Sequence, residues 1–284
     1  MIVVTGATGH LGRLVVERLL EKLPPKDIAV AVRSPEKAKD LAARGVQVRA
    51  ADYAKPETLG QALAGADKVL LISSSEVGRR AAQHAAVIAA AKKAGVKLLV
   101  YTSVLRADTS KLGLAAEHKA TEEAIRAAGI PYVFLRNGWY VENYTENLGP
   151  ALQHGAILGC AKDGRVAAAT RADYAAAAAA VLTGSGHENK TYELAGDAPF
   201  TMAELAAEVS RQAGKTVVYK DLPKEQYKGT LASFGLPEPV AELYADSDVG
   251  LSQGELDDRT GDLRRLIGRP TTPLADAVSA ALKK

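Results

Sequence analysis

A strand, a glycine turn and a helix follow one another within the first 23 residues: Met1-Ile2-Val3-Val4, then Thr5-Gly6-Ala7-Thr8-Gly9-His10-Leu11-Gly12, then the amphipathic run Leu14-Val15-Val16-Glu17-Arg18-Leu19-Leu20. A helix N-terminus presents unpaired N–H groups and a partial positive charge to any phosphate placed there. Gly6 can take a backbone geometry closed to other residues, Gly9 leaves a pyrophosphate unobstructed, and Gly12 lets the helix pack closely on the strand. The spacing is G-x-x-G-x-x-G rather than the commoner G-x-G-x-x-G, and its place between strand and helix gives it weight. The expected ligand is a dinucleotide, held by Gly6, Ala7, Thr8, Gly9, His10, Leu11 and Gly12.

The next strand, Ile28-Ala29-Val30-Ala31-Val32, ends in Arg33-Ser34-Pro35. In a Rossmann unit this strand end faces the adenosine ribose, where Asp or Glu bonds the 2′-hydroxyl of NAD and Arg accommodates the 2′-phosphate of NADP. Arg33 lies 33 − 12 = 21 residues after Gly12, close to the expected interval of about 20. No acidic residue stands between Ile28 and Pro35. Arg33 therefore points to NADPH.

Strand-like and helix-like segments alternate through the first half, the pattern of a parallel sheet flanked by helices. Helices are expected at 35–44, 56–64, 77–94 and 114–128, and strands at 46–50, 68–72, 96–101 and 132–135. Ligands in such sheets bind beyond the carboxyl ends of the strands. Asp52-Tyr53, Ser73, Ser74, Ser75, Thr102-Ser103 and Arg136-Asn137 join the glycine loop and Arg33 at that edge. Asn137-Gly138-Trp139-Tyr140 is expected to start a further helix. The run Ala175–Ala180 reads as a helix packed closely on a sheet, and 190–194 as a seventh strand. The fold expected is α/β: a doubly wound parallel Rossmann sheet with a smaller, mostly helical C-terminal lobe closing its cleft. Residues 1–137, with 166–196 returning, form the NADP-binding domain and 138–284 the substrate lobe.

Carbonyl-reducing short-chain dehydrogenases use a Tyr with a Lys four residues later. None of the ten tyrosines has lysine at that position. Hydride addition to an ordinary ketone leaves an alkoxide, with a conjugate acid near pKa 15.7 by the water analogue. Addition to a quinone leaves a phenolate-like oxygen near 10. The gap of roughly 6 units is about 8 kcal/mol of proton-transfer demand. A missing acid thus favours quinones or conjugated dyes as acceptors, or no reaction at all. His118 is a candidate donor or a packing residue. Asn137 could bond a carboxamide or the reducible oxygen. Trp139 and Tyr140 could stack on a planar acceptor, bind cofactor together with Gly138, or pack in a core.

Aromatic residues at 5% and basic runs no longer than two exclude a nucleic-acid stripe. A lone cysteine, Cys160, and five scattered histidines exclude cysteine clusters and suggest no metal site. The expected setting is cytoplasmic, since no apolar run is long enough for a bilayer and the chain opens within its first strand.

Taken together, Thr5–Gly12, Val32-Arg33, Leu71-Ile72-Ser73-Ser74-Ser75-Glu76-Val77-Gly78, Leu135-Arg136-Asn137-Gly138-Trp139-Tyr140, Thr170-Arg171-Ala172-Asp173-Tyr174 and Leu266-Ile267-Gly268 resemble the NmrA-like group of atypical short-chain dehydrogenases. Within that group the sequence is most similar to the bacterial NADPH-dependent quinone oxidoreductases. The resemblance implies NADPH held by Gly6–Leu11, Arg33, Ser73–Ser75 and the segment from Asn137, with hydride passed directly to a quinone and no flavin. Triphenylmethane-dye reductases look similar across the same motifs. Regulatory members imply a rival, a redox sensor that binds NADP(H) without catalysis.

Overall fold

The computed structural model describes residues 1–283. Through the first half run β1 (Ile2–Thr5), α1 (His10–Leu20), β2 (Ile28–Val32), α2 (Lys39–Ala43), β3 (Gln47–Ala50), α3 (Pro56–Ala62), β4 (Lys68–Leu71), α4 (Arg80–Lys93), β5 (Leu98–Val104), α5 (Ala115–Ala128) and β6 (Tyr132–Asn137). There follow α6 (Glu142–Thr145), α7 (Gly149–His154), β7 (Ala156–Gly159), α8 (Arg171–Thr183), β8 (Lys190–Leu194), α9 (Met202–Ala213), β9 (Val218–Asp221), α10 (Lys224–Ser233), α11 (Glu238–Ser252), α12 (Asp262–Ile267) and α13 (Leu274–Leu282).

One compact unit comprises Met1–Ala107, Ala116–Asn137 and Arg171–Tyr192. Its return segment is shorter than the 166–196 expected, and Asp108–Ala115 passes to the other unit. The sheet order is β3-β2-β1-β4-β5-β6-β8, and every pair from β3 to β6 is parallel. Ile2 of β1 pairs with Ile28 on one side and Lys68 on the other. The chain order reverses there, which opens a crevice at the carboxyl edge. β1, β2 and β5 are buried along their whole length, as expected of parallel strands covered on both faces. β3 is exposed at both ends and mixes Gln47 and Arg49 with Val48, the composition of an edge strand. α1 buries Leu11, Val15, Val16 and Leu19 and packs on the alanine-rich α8, whose small side chains allow the two helices to approach.

The other unit holds Asp108–Ala115, Gly138–Thr170 and Glu193–Lys284. Its β7 and β9 form a parallel two-stranded ribbon. α9 begins with a capping box: the Thr201 hydroxyl accepts from the Glu204 N–H and the Glu204 carboxylate accepts from the Thr201 N–H. Gly214 ends it in the left-handed region. α10 and α11 pack together with Lys224 and Lys228 bonded to Glu242 at 2.7 and 2.9 Å.

Several boundaries differ from expectation for local reasons. The helix expected from residue 77 starts at Arg80, because Gly78 takes φ +83 and breaks the turn. The helix expected at 35–44 is a 3-10 turn, Pro35–Ala38, followed by α2. β5 continues to Val104, so Thr102 and Ser103 lie inside the strand, paired with Leu135 and Arg136. Burial of the β-branched Thr102 and Val104 favours that continuation. Past Tyr140 the helix is only the single turn α6.

Candidate functional site

At the crevice lies a groove of about 400 Å³, within the size range of small-molecule sites. Gly6, Thr8 and Gly9 line it from the loop after β1, Arg33 and Lys37 from the segment after β2, Asp52 and Tyr53 from beyond β3. Ile72, Ser73, Ser74, Ser75 and Glu76 line it from the loop after β4, and Gln83 from α4. Gly6 sits at φ +60, a conformation that strains a residue carrying a Cβ. Its N–H donates to the Ala31 carbonyl at 3.2 Å, tying the loop to β2. A Cβ on Gly12 would stand 2.4 Å from the Gly6 carbonyl oxygen and 2.7 Å from the Ala7 Cα. Only glycine lets α1 lie against its own entry loop. Gly9 caps α1 without a side chain, which leaves the first-turn N–H groups available to an anion.

The walls are fixed by hydrogen bonds that reach across strands. The Tyr53 hydroxyl lies in hydrogen-bond contact with Thr5 Oγ1 and, at 3.0 Å, with the Ile72 carbonyl. Thr5 in turn donates to the Leu70 carbonyl at 2.9 Å. Burial pushes the Tyr53 phenol well above its ordinary range, and its contacts to Thr5 and Ile72 make it a strut between strand ends. Arg33 is mostly exposed and donates to Glu76 Oε1 at 3.2 Å. The other Glu76 oxygen accepts from Gln83 at 2.9 Å and Arg79 at 3.3 Å.

Behind the serine loop stands a buried polar cluster. Ser73 N–H donates to Thr102 Oγ1 at 2.8 Å and Ser74 N–H to His84 Nε2 at 2.9 Å. Arg80 Nε donates to the Ser74 carbonyl at 2.7 Å. Both backbone groups of Ser74 are therefore held by α4. His84 must then carry its proton on Nδ1, which donates to Thr121 Oγ1 at 3.0 Å, the Thr121 hydroxyl going to the Glu117 carbonyl. His118 lies beside Arg80, 3.4 Å from Nη1 to Nε2, and 2.7 Å from the Tyr101 hydroxyl through Nδ1. Because arginine only donates, His118 Nε2 accepts and its Nδ1–H faces Tyr101. Burial, then the Arg80 charge, pushes His84 down to about 3 and His118 well below its usual value. Both imidazoles are neutral at ordinary pH.

At the ends of β5 and β6, Arg136 makes a two-pronged pair with Glu122, Nε to Oε1 at 2.9 Å and Nη2 to Oε2 at 2.8 Å. Ser103 adds a third donor to the same carboxylate at 2.7 Å. All three residues are buried, and Asn137 beside them is buried with its Oδ1 lacking any hydrogen-bond partner. A buried acceptor left unsatisfied is uncommon.

The model of the NmrA-like family matches residues 1–258. The chain belongs to the NmrA-like family. It is 54% identical over 98% of its length, and 98% of the relative's, to quinone oxidoreductase 2 of Escherichia coli (strain K12). Among solved structures, the NADPH-dependent quinone oxidoreductase of Escherichia coli complexed with NADPH matches at TM-score 0.97 and 54% identity, covering 99% of this chain and all of that one. The Citrobacter sp. triphenylmethane reductase complexed with NADP(H) matches at TM-score 0.95 and 45% identity, covering 99% of this chain and all of that one.

Of the site residues expected for this NmrA-like chain, the groove gathers Gly6, Thr8, Gly9, Arg33, Ser73, Ser74 and Ser75. Ala7, Leu11 and Gly12 are buried behind the loop and His10 is exposed. Thr102 supports Ser73 from beneath. His118 is not among the lining residues; it is buried and engaged with Tyr101 and Arg80, which leaves the expected donor role without structural support. Gly138, Trp139 and Tyr140 belong to the second unit, where Tyr140 bridges to Ala169. Sequence reasoning passed over Arg80 and His84 as supports of the serine loop; their spacing of four on one helix was the available signal. It also passed over a cavity of about 280 Å³ within the second unit, walled by Leu148, Ile157, Tyr227, Leu231 and Phe234. The helical spacing of Tyr227, Leu231 and Phe234 could have flagged it.

Proposed function

We infer that this chain is an NADPH-dependent reductase of quinones that passes hydride directly, with no flavin. The full-length match to a quinone oxidoreductase solved with NADPH carries the assignment. The residues present fit the cofactor. The Gly6–Gly9 loop and the open end of α1 suit a pyrophosphate, Arg33 and Lys37 suit a 2′-phosphate, and Asn137 Oδ1 is a buried acceptor suited to a carboxamide N–H. Bound there, NADPH supplies the hydride. The protein's part is to hold the coenzyme in one geometry, through a loop fixed by Gly6, Gly12 and the Ser74 clamp.

Among the described residues the groove lining holds no histidine and a single tyrosine. Tyr53 is a strut, while His118, His84 and Tyr101 are buried and mutually engaged. A hydroquinone forms through a phenolate-like oxygen, which takes a proton from water without a dedicated acid. Among the described residues no helix is long and apolar enough to cross a membrane, and we place the reaction in the cytoplasm.

The match to a triphenylmethane reductase favours a second reading, reduction of conjugated cationic dyes at the same site. Steady-state kcat/KM with NADPH for p-benzoquinones, naphthoquinones and triphenylmethane dyes separates the two. Quinones are expected to react fastest; faster dye reduction would move the assignment, and failure of every acceptor would defeat it.

A further inference from the structure

The end of β2 offers Arg33 to the adenosine half of a dinucleotide, but the groove contains a second charge at that position. Glu76, from the loop after β4, reaches across to Arg33 at 3.2 Å. Glu76 is positioned: its backbone N–H donates to Ser74 Oγ at 3.2 Å, and Ser74 is held through both backbone groups by His84 and Arg80. Glu76 also has other donors. Gln83 and Arg79 hold its second oxygen, so it stays in place when Arg33 turns away.

The two side chains have opposite preferences. A 2′-phosphate carries close to two negative charges and needs the Arg33 guanidinium, which Glu76 occupies. A carboxylate at the same spot repels that phosphate, yet it is the acceptor that a 2′-hydroxyl requires. We propose that Glu76 is a specificity-determining residue: it competes with the 2′-phosphate for Arg33 and accepts a ribose hydroxyl, holding the groove's preference for NADPH over NADH below what Arg33 alone would give. The proposal rests on the dinucleotide reading of the groove.

The test is a double-mutant cycle, with wild type, Glu76→Gln, Arg33→Ala and the double variant titrated calorimetrically with NADPH and with NADH at low and high salt. Glu76→Gln is expected to tighten NADPH two- to fivefold at low salt, about the range an exposed ion pair commands. The gain should shrink at high salt, and NADH should be unchanged or weaker. In the Arg33→Ala background the same substitution should give no gain. Weaker NADPH binding, an equal shift for both coenzymes, or a gain that persists without Arg33 would overturn the proposal. A wild type that binds neither coenzyme would remove the dinucleotide reading itself, whereas a wild type that prefers NADPH over a flat cycle removes only the role of Glu76.

Discussion

Arg33, Asn137 and Gly12 each carry a separable part of the cofactor account. In the proposed complex, replacing Arg33 with alanine removes one charge-assisted hydrogen bond to the 2′-phosphate, about 1.5–3 kcal/mol. Calorimetry should show NADPH weakened by roughly ten- to hundredfold and NADH scarcely changed. Asn137 is the opposite kind of residue, an orphaned buried acceptor that is a liability in the free protein. Asn137→Ala should lower kcat/KM for NADPH by about tenfold while thermal stability moves by less than about 1 kcal/mol. Equal losses of stability and activity would show a purely structural role. Gly12→Ala forces a Cβ into the Gly6 carbonyl, and overpacking of this kind costs about 1–3 kcal/mol. Its melting temperature should fall together with NADPH affinity. Gly12 and Arg33 were legible in the sequence because their constraint is local, set by a few neighbours along the first strand–helix–strand unit. Glu76 was not: its partner Arg33 is 43 residues away, and no spacing rule joins them.

At the scale of elements, α4 and α5 support the loops that form the groove. The Glu122–Arg136–Ser103 cluster joins α5 to the ends of β6 and β5. Breaking one partner of a buried pair strands the other charge, at about 3–5 kcal/mol; Arg136→Met should show that loss in chemical denaturation, against near-neutral behaviour if the pair were dispensable. The buried histidines set an acid limit. Below about pH 6.5 the unfolded chain binds protons that native His84 and His118 refuse, so stability falls as pH falls, by up to about 1.4 kcal/mol per pH unit for each. For His84 the window extends down to its folded value of about 3. Asp248, held up to about 6 by burial, gives the opposite slope between its unfolded value near 4 and 6. Melting curves from pH 7 to 5 should decline, and the decline should flatten in His84→Gln/His118→Gln; an unchanged slope would contradict the neutral assignment. The strands and their alternation with helices were readable from apolar runs of buried parallel strands. The ends of β5 and β6 were not, because Thr102, Ser103, Arg136 and Asn137 are polar and their burial is arranged by α5, elsewhere in the chain.

For the whole molecule, the sheet order and the parallel pairing place glycine loop, Arg33 and serine loop at one edge, and a full-length relative solved with NADPH shares the fold. Composition alone would have fitted many soluble proteins; the missing Tyr–Lys pair narrowed the readings to acceptors that need no strong acid or to no reaction at all. The measurement that tests this most directly is quinone-dependent NADPH oxidation by purified protein free of flavin absorbance, with coenzyme and hydroquinone quantified together. The account predicts one hydroquinone formed per NADPH consumed, and much slower turnover with NADH. Turnover that appears only when flavin is added, or NADPH that binds but is never oxidised by any quinone, would contradict it.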